Sequence, residues 1–308
     1  MKSVQRKLFV AAQWVFAAAV VWFAAAALRG QWDAAALRLV SLDPDWTWIA
    51  ASTAIVLATY MLLIDTWRGI VTGAGERLSF RDAARIWFVS NLGKYVPGKV
   101  WSIAAMTLLA RRSDVAPTVA AGSSILTQLV TLAAGIAVVL LAGARSVDQP
   151  VAAAITGVGL IALLAAIPVM LPAAGRLATR VMRKPVRMPP LSSVSVWSAT
   201  GRAVIAWVAY GIAFKLFTRG VAGSATGGTL SYIAVFAASY IIGFLALFAP
   251  GGVVVRESAM IGGMVKLGLA SHGDALAIAV ASRLWLTVTE LVPGFIYLAL
   301  GRRHSKTG

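Results

Sequence analysis

The sequence predicts an all-α polytopic membrane helix bundle, with six to eight crossings and one or two re-entrant regions broken by proline and glycine. Of the 308 residues, 59% are hydrophobic and 13% are charged, with a mean hydropathy of +0.82. Soluble domains carry about 25% charged residues. The apolar residues form long runs, and about 20 apolar residues in a row cross a bilayer. We therefore expect a single integral membrane domain over residues 1–308.

Charge and composition argue against several classes of function. The chain has 28 Lys and Arg against 11 Asp and Glu, a net charge of +17. The basic residues lie mainly in loops between apolar runs, so we attribute them to membrane topology and not to nucleic acid. With no Cys and two His, a metal site is not expected. No nucleotide-binding or hydrolase motif occurs, so we expect no cofactor, no catalytic residue and no enzymatic activity.

Six apolar segments have the length of full crossings: 8–28, 47–67, 116–142, 151–172, 203–217 and 275–300. The first is longer than the apolar part of a signal peptide, which spans about 7–15 residues, and is interpreted as a retained helix. Two further regions, 81–112 and 230–269, are interrupted by proline and glycine at 93–99 and 249–252. Such residues stop a helix or turn it sharply.

The basic loops predict the orientation of the chain. Both termini and the loop 175–202 are rich in Lys and Arg, so we place them in the cytoplasm, beside a bacterial or archaeal inner membrane. The loop separates pseudo-halves 1–174 and 203–308. The two broken regions then face opposite sides, as in the inverted repeats of many transporters. Chance similarity between two short motifs is the alternative.

The two breaks predict a cavity for an acidic headgroup. Irregular backbone at membrane depth survives only where protein buries it or where it lines a water-filled cavity. The helix that resumes after a break offers free N–H groups and a positive dipole end, which suit phosphate. Alternatively, both breaks are interfacial turns beside snorkelling lysines. The predicted substrate-binding residues are Lys94, Pro97, Gly98, Lys99, Pro250, Gly251, Gly252, Arg256, Glu257, Arg283 and Glu290.

Ionisable residues inside apolar segments support this prediction, because they usually face the interior of a bundle. Arg283 and Glu290 are seven residues apart and share a helix face. In one interpretation, Arg283 binds phosphate and Glu290 fixes its orientation. In the other, the two form a structural ion pair. Asp65 and Lys215 are read as paired or snorkelling charges near the ends of their segments.

Two acidic residues in the first outer loop offer a different interpretation. Asp43 and Asp45 flank Pro44, and paired carboxylates are compatible with a small polyprenyl-phosphate-dependent glycosyltransferase. Asp and Pro also favour helix starts, so a cap before Trp46 is the preferred interpretation.

The broken regions carry a resemblance to a known family. Residues 91–101, followed by Arg111 and Arg112, resemble the lysylphosphatidylglycerol synthase transmembrane-region family, as do residues 249–258 followed by 281–284. In the second motif, Val254 stands where glycine is common, which leaves Arg256 and Glu257 in register. The resemblance covers most of the chain.

The resemblance implies a function in lipid movement. The family includes the flippase-like half of multiple-peptide-resistance proteins, and its stand-alone members lack the soluble aminoacyl-transferase domain. We therefore expect a flippase-like protein that binds and translocates an anionic or glycosylated lipid, either an anionic phospholipid or a polyprenyl-phosphate lipid. A lipid-modifying enzyme is the expected protein partner. The alternatives are the glycosyltransferase above and a non-catalytic partner in lipid-glycan assembly.

Overall fold

A computed structural model describes residues 43–95, 100–144, 149–182, 193–246 and 254–300, together with Trp22. The described residues form helices and connecting loops without strands, which confirms the all-α prediction. Two short 3-10 helices cover Leu92–Tyr95 and Arg111–Ser113. The α-helices in this part of the chain are α1 (Trp46–Gly73), α2 (Phe80–Asn91), α3 (Val100–Ala110), α4 (Pro117–Ala142), α5 (Pro150–Met182), α6 (Ser193–Ala222), α7 (Thr229–Leu245), α8 (Val255–Lys266) and α9 (His272–Leu300).

Four described helices are long and apolar enough to cross a membrane: α1, α4, α6 and α9. They contain the predicted segments 47–67, 203–217 and 275–300, and 116–142 apart from Ala116, which caps α4. The predicted segment 151–172 lies within α5, which has 33 residues. The predicted crossing 8–28 falls outside the described residues, apart from Trp22. A polytopic helical membrane bundle is therefore confirmed.

The loop predicted at 175–202 is shorter in the structure. Helix α5 continues to Met182 and α6 begins at Ser193, so only residues 183–192, which lie outside the described part, separate the two helices. The prediction counted the apolar core of each crossing alone. Residues 173–182 are rich in Ala, Arg and Leu, which are good helix formers, so the helix extends beyond its apolar core.

Helices α1 and α6 run antiparallel and form the longest packing contact in the described bundle. At one end, the Asp45 N–H donates to the Gly220 carbonyl over 2.8 Å. In the middle, the buried Ser52 hydroxyl donates to the Ala213 carbonyl over 2.8 Å. At the other end, Arg202 Nη1 lies 2.7 Å from Asp65 Oδ2. These contacts define an Asp45 end and an Asp65 end of the molecule.

Helices α2 and α3 form a hairpin that begins and ends at the Asp65 end. Helix α2 follows α1 after a short turn, and α3 packs back against it. After α3 the chain returns to that turn, where the Ala116 N–H donates to Glu76 Oε1 over 3.2 Å. We call α2 and α3 the first hairpin. The prediction that this region enters and leaves on one side agrees with this geometry.

Helices α7 and α8 form a second hairpin that begins and ends at the Asp45 end. Helix α7 starts just after α6 reaches that end, and α8 packs along it. The loops before α7 and after α8 meet where the Thr226 hydroxyl donates to the Leu269 carbonyl over 3.0 Å. The two hairpins therefore enter the bundle from opposite ends.

The two halves share one order of elements: a long helix, a hairpin and another long helix. Helix α2 of the first hairpin packs against α9, and its counterpart α7 packs against α4. Each hairpin thus inserts between helices of both halves. Opposed hairpins of this kind occur in the inverted-topology repeats of transporters, and an inverted repeat in this chain stays a prediction.

Candidate functional site

A cavity of about 480 Å³ lies where the two hairpins approach each other. Its lining side chains come from α1 to α4 and from α6 to α9, so both halves of the bundle contribute to it. Among the described lining residues, the charged ones are Arg256, Arg283 and Glu290. Arg256 and Arg283 are 6% and 8% exposed, as expected of charged groups at membrane depth, which protein buries or a water-filled cavity surrounds.

The positive side of the cavity is built by α8 and α9. Arg283 Nη1 lies 2.9 Å from Glu257 Oε1, and Arg256 Nη1 lies 3.7 Å from the same oxygen. At about 1.5 Å per residue, Arg256 is about 15 Å from Lys266 at the end of α8, and Arg283 is about 16 Å from His272. Both guanidinium groups therefore lie deep in the bundle. Two arginines share one carboxylate, so this cluster carries a net positive charge.

The backbone of α8 approaches α7 closely at Arg256. A Cβ atom on Gly243 would lie 2.7 Å from the Arg256 Cβ, so only glycine permits this contact. The Arg256 side chain then lies beside the rings of Phe236 and Tyr240, with its Cζ 5.8 Å from each ring centroid. These contacts fix the arginine stem and direct its guanidinium group to the cavity.

Part of the Arg256 guanidinium has no partner. The residue is 6% exposed, and among the described residues no acceptor lies within hydrogen-bond distance of its Nε and Nη2. The Trp87 indole Nε1, another donor on the cavity wall, also has no acceptor among the described residues, and Glu257 Oε2 has no donor there. A buried charged donor left without an acceptor is costly, so this site is suited to an anionic ligand.

An aromatic wall joins the two halves beside the charged groups. We use this name for Tyr60, Trp207, Tyr210, Phe236 and Tyr240. Neighbouring ring centroids are 5.6 to 6.3 Å apart. The Tyr60 hydroxyl donates to Glu290 Oε1 over 3.1 Å and links α1 to α9. The sequence prediction did not include this wall, because its members are spread over α1, α6 and α7.

A stripe of uncharged polar residues on α4 was also missed by the sequence prediction. Ser124, Thr127, Gln128 and Thr131 all line the cavity. Their spacing of i, i+3, i+4 and i+7 places them on one face of an otherwise apolar helix. We call them the α4 polar stripe. This spacing was the signal available in the sequence, but the prediction considered charged residues alone.

The structure brings together the part of the predicted site that it describes. Arg256, Arg283 and Glu290 line the cavity, and Glu257 forms an ion pair with Arg283. Lys94 belongs to the 3-10 helix at the tip of α2. Their role in binding substrate stays a prediction. The other predicted residues, Pro97, Gly98, Lys99, Pro250, Gly251 and Gly252, lie outside the described residues.

The remaining charges singled out in the sequence have structural partners. Asp65 lies 2.9 Å from Arg68 Nη2 in addition to its contact with Arg202. Lys215 Nζ donates to the Gly227 carbonyl over 3.3 Å and to the Thr229 hydroxyl over 3.1 Å. These residues tie helix ends together and are not among the described lining residues of the cavity.

Asp45 caps the start of α1. Its Oδ1 accepts a hydrogen bond from the Thr47 backbone N–H over 2.9 Å. The preferred interpretation of the Asp43–Asp45 pair as a helix start is therefore confirmed for Asp45. Its place at the Asp45 end, before the first turn of α1, also separates it along the helix from Tyr60 and the cavity.

The cap permits a test that separates structure from catalysis. Asparagine is as good an N-cap as aspartate, whereas alanine costs about 0.5–2 kcal/mol. We expect Asp45→Asn to retain both stability and function, and Asp45→Ala to lower the free energy of unfolding by that amount. Unfolding in detergent measures the stability, and the movement of a fluorescent anionic lipid between the leaflets of vesicles measures the function. Loss of function in a stably folded Asp45→Asn variant would instead point to a reacting carboxylate.

The long apolar helices define an integral membrane protein. The chain belongs to the family described as the lysylphosphatidylglycerol synthase transmembrane region, whose model matches residues 9–294. This finding confirms the resemblance drawn from the two broken regions. The family is a membrane domain tied to lipid modification or flipping. No curated protein sequence matches the chain.

The backbone at Val254 explains why glycine is common at this position of the motif. Val254 precedes α8 and has a φ of 69°. Glycine adopts positive φ without cost, whereas a β-branched residue is strained there. The glycine that is common at this position of the motif therefore suits the sharp start of α8.

Proposed function

We propose that this protein binds the phosphate of an anionic lipid headgroup in the central cavity and carries the lipid across the membrane. The ligand class is an anionic phospholipid or a polyprenyl-phosphate lipid. One observation carries the proposal: Arg256 is buried on the cavity wall, and its Nε and Nη2 have no acceptor among the described residues.

Phosphate matches this arrangement chemically. Its oxygens accept two parallel N–H bonds from one guanidinium group, and such bonds are stronger than neutral ones. Arg283, held by Glu257 at 2.9 Å, supplies a second positive charge beside the first. The amino end of α8 adds its dipole at the same place. These contributions all favour a monoanionic or dianionic headgroup.

The opposed hairpins support transport over static binding. In many transporters, inverted halves expose one central site alternately to the two sides of the membrane. Here the first hairpin begins and ends at the Asp65 end and the second at the Asp45 end, and the cavity lies between them. We assign the Asp65 end to the cytoplasm of a bacterium or archaeon, because of the basic residues predicted to lie on that side. Both termini would then be cytoplasmic.

Replacing Arg256 tests the proposal. Hydrogen bonds to charged groups contribute about 1.5–3 kcal/mol each, so Arg256→Gln should weaken headgroup binding about 10- to 100-fold. The measurement is the movement of fluorescent phosphatidylglycerol between leaflets of vesicles that contain the purified full-length protein. We expect the variant to lose most of the protein-dependent rate.

Arg81→Gln is the matched control. Arg81 is an exposed arginine on α2 and does not line the cavity in the described structure. Its replacement removes the same charge from the chain and should leave the rate close to that of the unmodified protein. Equal rates for the Arg256→Gln and unmodified proteins would overturn the proposed site.

A further inference from the structure

We infer that the cavity opens sideways to the bilayer between α3, α4 and the end of α7, and that the acyl chains of the bound lipid leave the cavity there. We call this opening the lateral window and define it by Ser102, Gln128 and Phe244, which all line the cavity. This inference rests on the proposed function and assigns the path of the apolar part of the lipid.

The size of the cavity favours such an opening. Its volume of about 480 Å³ lies in the range of about 300–1,000 Å³ that suits a drug-sized ligand, and a lipid headgroup has this size. An acyl chain that spans half of a hydrocarbon core about 30 Å thick is about 15 Å long. The headgroup therefore fits inside, whereas two chains of this length are accommodated if they extend through the wall into the surrounding hydrocarbon.

Gln128 lies where the cavity-facing side of α4 meets its lipid-facing side. Around a helix with 3.6 residues per turn, Gln128 is about 40° from Ser124 and about 60° from Ile125, on opposite sides. Ser124 is buried and lines the cavity. Ile125 and Leu129 are 48% and 58% exposed and are not among the described lining residues. Gln128 is exposed and also lines the cavity, so the cavity reaches the outer surface of the bundle at this residue.

The helix that packs against α4 changes at the same level. In its first half α4 packs against α3, where Ser124 Oγ lies 3.1 Å from Met106 Sδ. In its second half it packs against α7, where a Cβ on Gly135 would lie 2.9 Å from Ile241 Cδ1. At about 1.5 Å per residue, Gln128 is about 6 Å from Ser124 and about 10 Å from Gly135 along the helix, so it lies between the two contacts.

The ends of both hairpin helices contribute to the wall near this level. Helix α3 begins at Val100 and α7 ends at Leu245, so Ser102 and Phe244 each lie within the turn next to a helix end. Ser102 is half-buried and Phe244 is 40% exposed, and both line the cavity. The described members of the wall are therefore partly exposed where one hairpin replaces the other along α4.

The lateral window has a polar rim and an apolar outer surface. The Gln128 amide lies near the middle of α4, and polar groups at membrane depth need polar partners, which a passing headgroup supplies. Just outside, Ile125, Leu129 and Leu245 are 48%, 58% and 55% exposed. Acyl chains can pack on this apolar surface while the phosphate stays beside Arg256.

Filling the lateral window tests the inference. We expect Gln128→Trp to slow the movement of fluorescent phosphatidylglycerol between leaflets by about tenfold or more, since overpacking a fitted opening has an energetic cost of this order. Dimethyl phosphate has the phosphodiester charge but no acyl chains. Its binding to the purified full-length variant, measured by phosphorus NMR titration, should equal that of the unmodified protein.

Leu129→Trp is the matched control for this variant. Leu129 is the next residue of α4 and is exposed, and it is not among the described lining residues of the cavity. The same indole ring there should leave both the rate of lipid movement and the binding of dimethyl phosphate unchanged. Equal rates for Gln128→Trp and Leu129→Trp would overturn the lateral window.

A photoreactive lipid locates the acyl chains without altering the wall. The probe is phosphatidylglycerol with a diazirine in one acyl chain, in vesicles that contain the full-length protein, and mass spectrometry identifies the crosslinked peptides. We expect crosslinks at residues 125–129 that become fewer in Arg256→Gln. The exposed face of α5, with Ile155 and Val158 at 67% and 58% exposure, reports the surrounding lipid, and its crosslinks should not depend on Arg256.

The outcomes separate this inference from the proposed function. Crosslinks that are equally frequent on α4 and α5 and unaffected by Arg256→Gln, in a protein that binds dimethyl phosphate, would overturn the lateral window and leave the phosphate site in place. Failure of the unmodified protein to bind dimethyl phosphate would overturn the proposed function itself.

Discussion

Replacing Glu257 with alanine is expected to lower the free energy of unfolding by about 3–5 kcal/mol, because it leaves two buried arginines without their shared carboxylate. Glu257 is 3% exposed, and its Oε1 is the acceptor that Arg283 and Arg256 approach. Thermal unfolding in detergent, with added denaturant where needed, measures the loss. Glu257→Gln should be less harmful, because the amide oxygen can still accept from Arg283.

Asp65→Ala is the matched control for this prediction. Asp65 also lies between two arginines, Arg68 and Arg202, but these side chains are about a third exposed. Exposed ion pairs contribute about 0.2–1 kcal/mol, since water screens their charges. We therefore expect a clear difference between the two variants. Similar losses for Glu257→Ala and Asp65→Ala would mean that the Arg256–Glu257–Arg283 cluster is solvated.

Replacing Gly243 with alanine is the second change with a large expected effect. The new methyl group would lie 2.7 Å from the Arg256 Cβ and 3.3 Å from its Cα. Because backbone and Cβ atoms cannot rotate away, α8 must move relative to α7, and overpacking of this kind costs about 1–3 kcal/mol. The movement displaces the Arg256 guanidinium from the cavity wall. We expect both a lower unfolding temperature and a strongly reduced rate of lipid movement in the vesicle assay.

Gly262→Ala provides the comparison within the same hairpin. A Cβ on Gly262 of α8 would have no described atom within 4 Å outside its own helix turn. Alanine is more favourable than glycine in a helix by about 0.5–1 kcal/mol. This variant should therefore be as stable as the unmodified protein or slightly more so, with normal transport. If Gly243→Ala behaved in the same way, the close contact between α7 and α8 would not be needed to position Arg256.

The membrane fold could be predicted from the sequence, because it follows from the lengths of the apolar runs and the positions of proline and glycine. Apolar runs near 20 residues set the long helices, and proline with glycine marked where two regions would break. The basic residues near these regions correctly indicated that 81–112 returns to the end where it began. The residues at which helices begin and end were harder to predict. Apolarity measures the lipid-covered part of a helix, whereas α5 and α6 extend into sequence that is helical without being apolar.

The charged residues of the cavity could be predicted in the same way. Arg256 and Arg283 stand out because charges are rare inside apolar segments, and both line the cavity. The aromatic wall did not stand out, since tyrosine and tryptophan are common in membrane helices and only packing brings these rings together. The α4 polar stripe is an intermediate case. Its periodic spacing was present in the sequence, but which face of α4 meets the hairpins depends on tertiary contacts.

The pairing of α1 with α6 has a consequence for how such a protein could move. These helices belong to different halves, yet they are fastened at both extremities and at the buried Ser52 between them. Rigid rocking of one half against the other would have to break all three fastenings. None of the three contacts involves a helix of either hairpin, so movement of α2 and α3, or of α7 and α8, leaves them intact. The α1–α6 pair is then the fixed part of the bundle, and the hairpins are the parts that can shift against it.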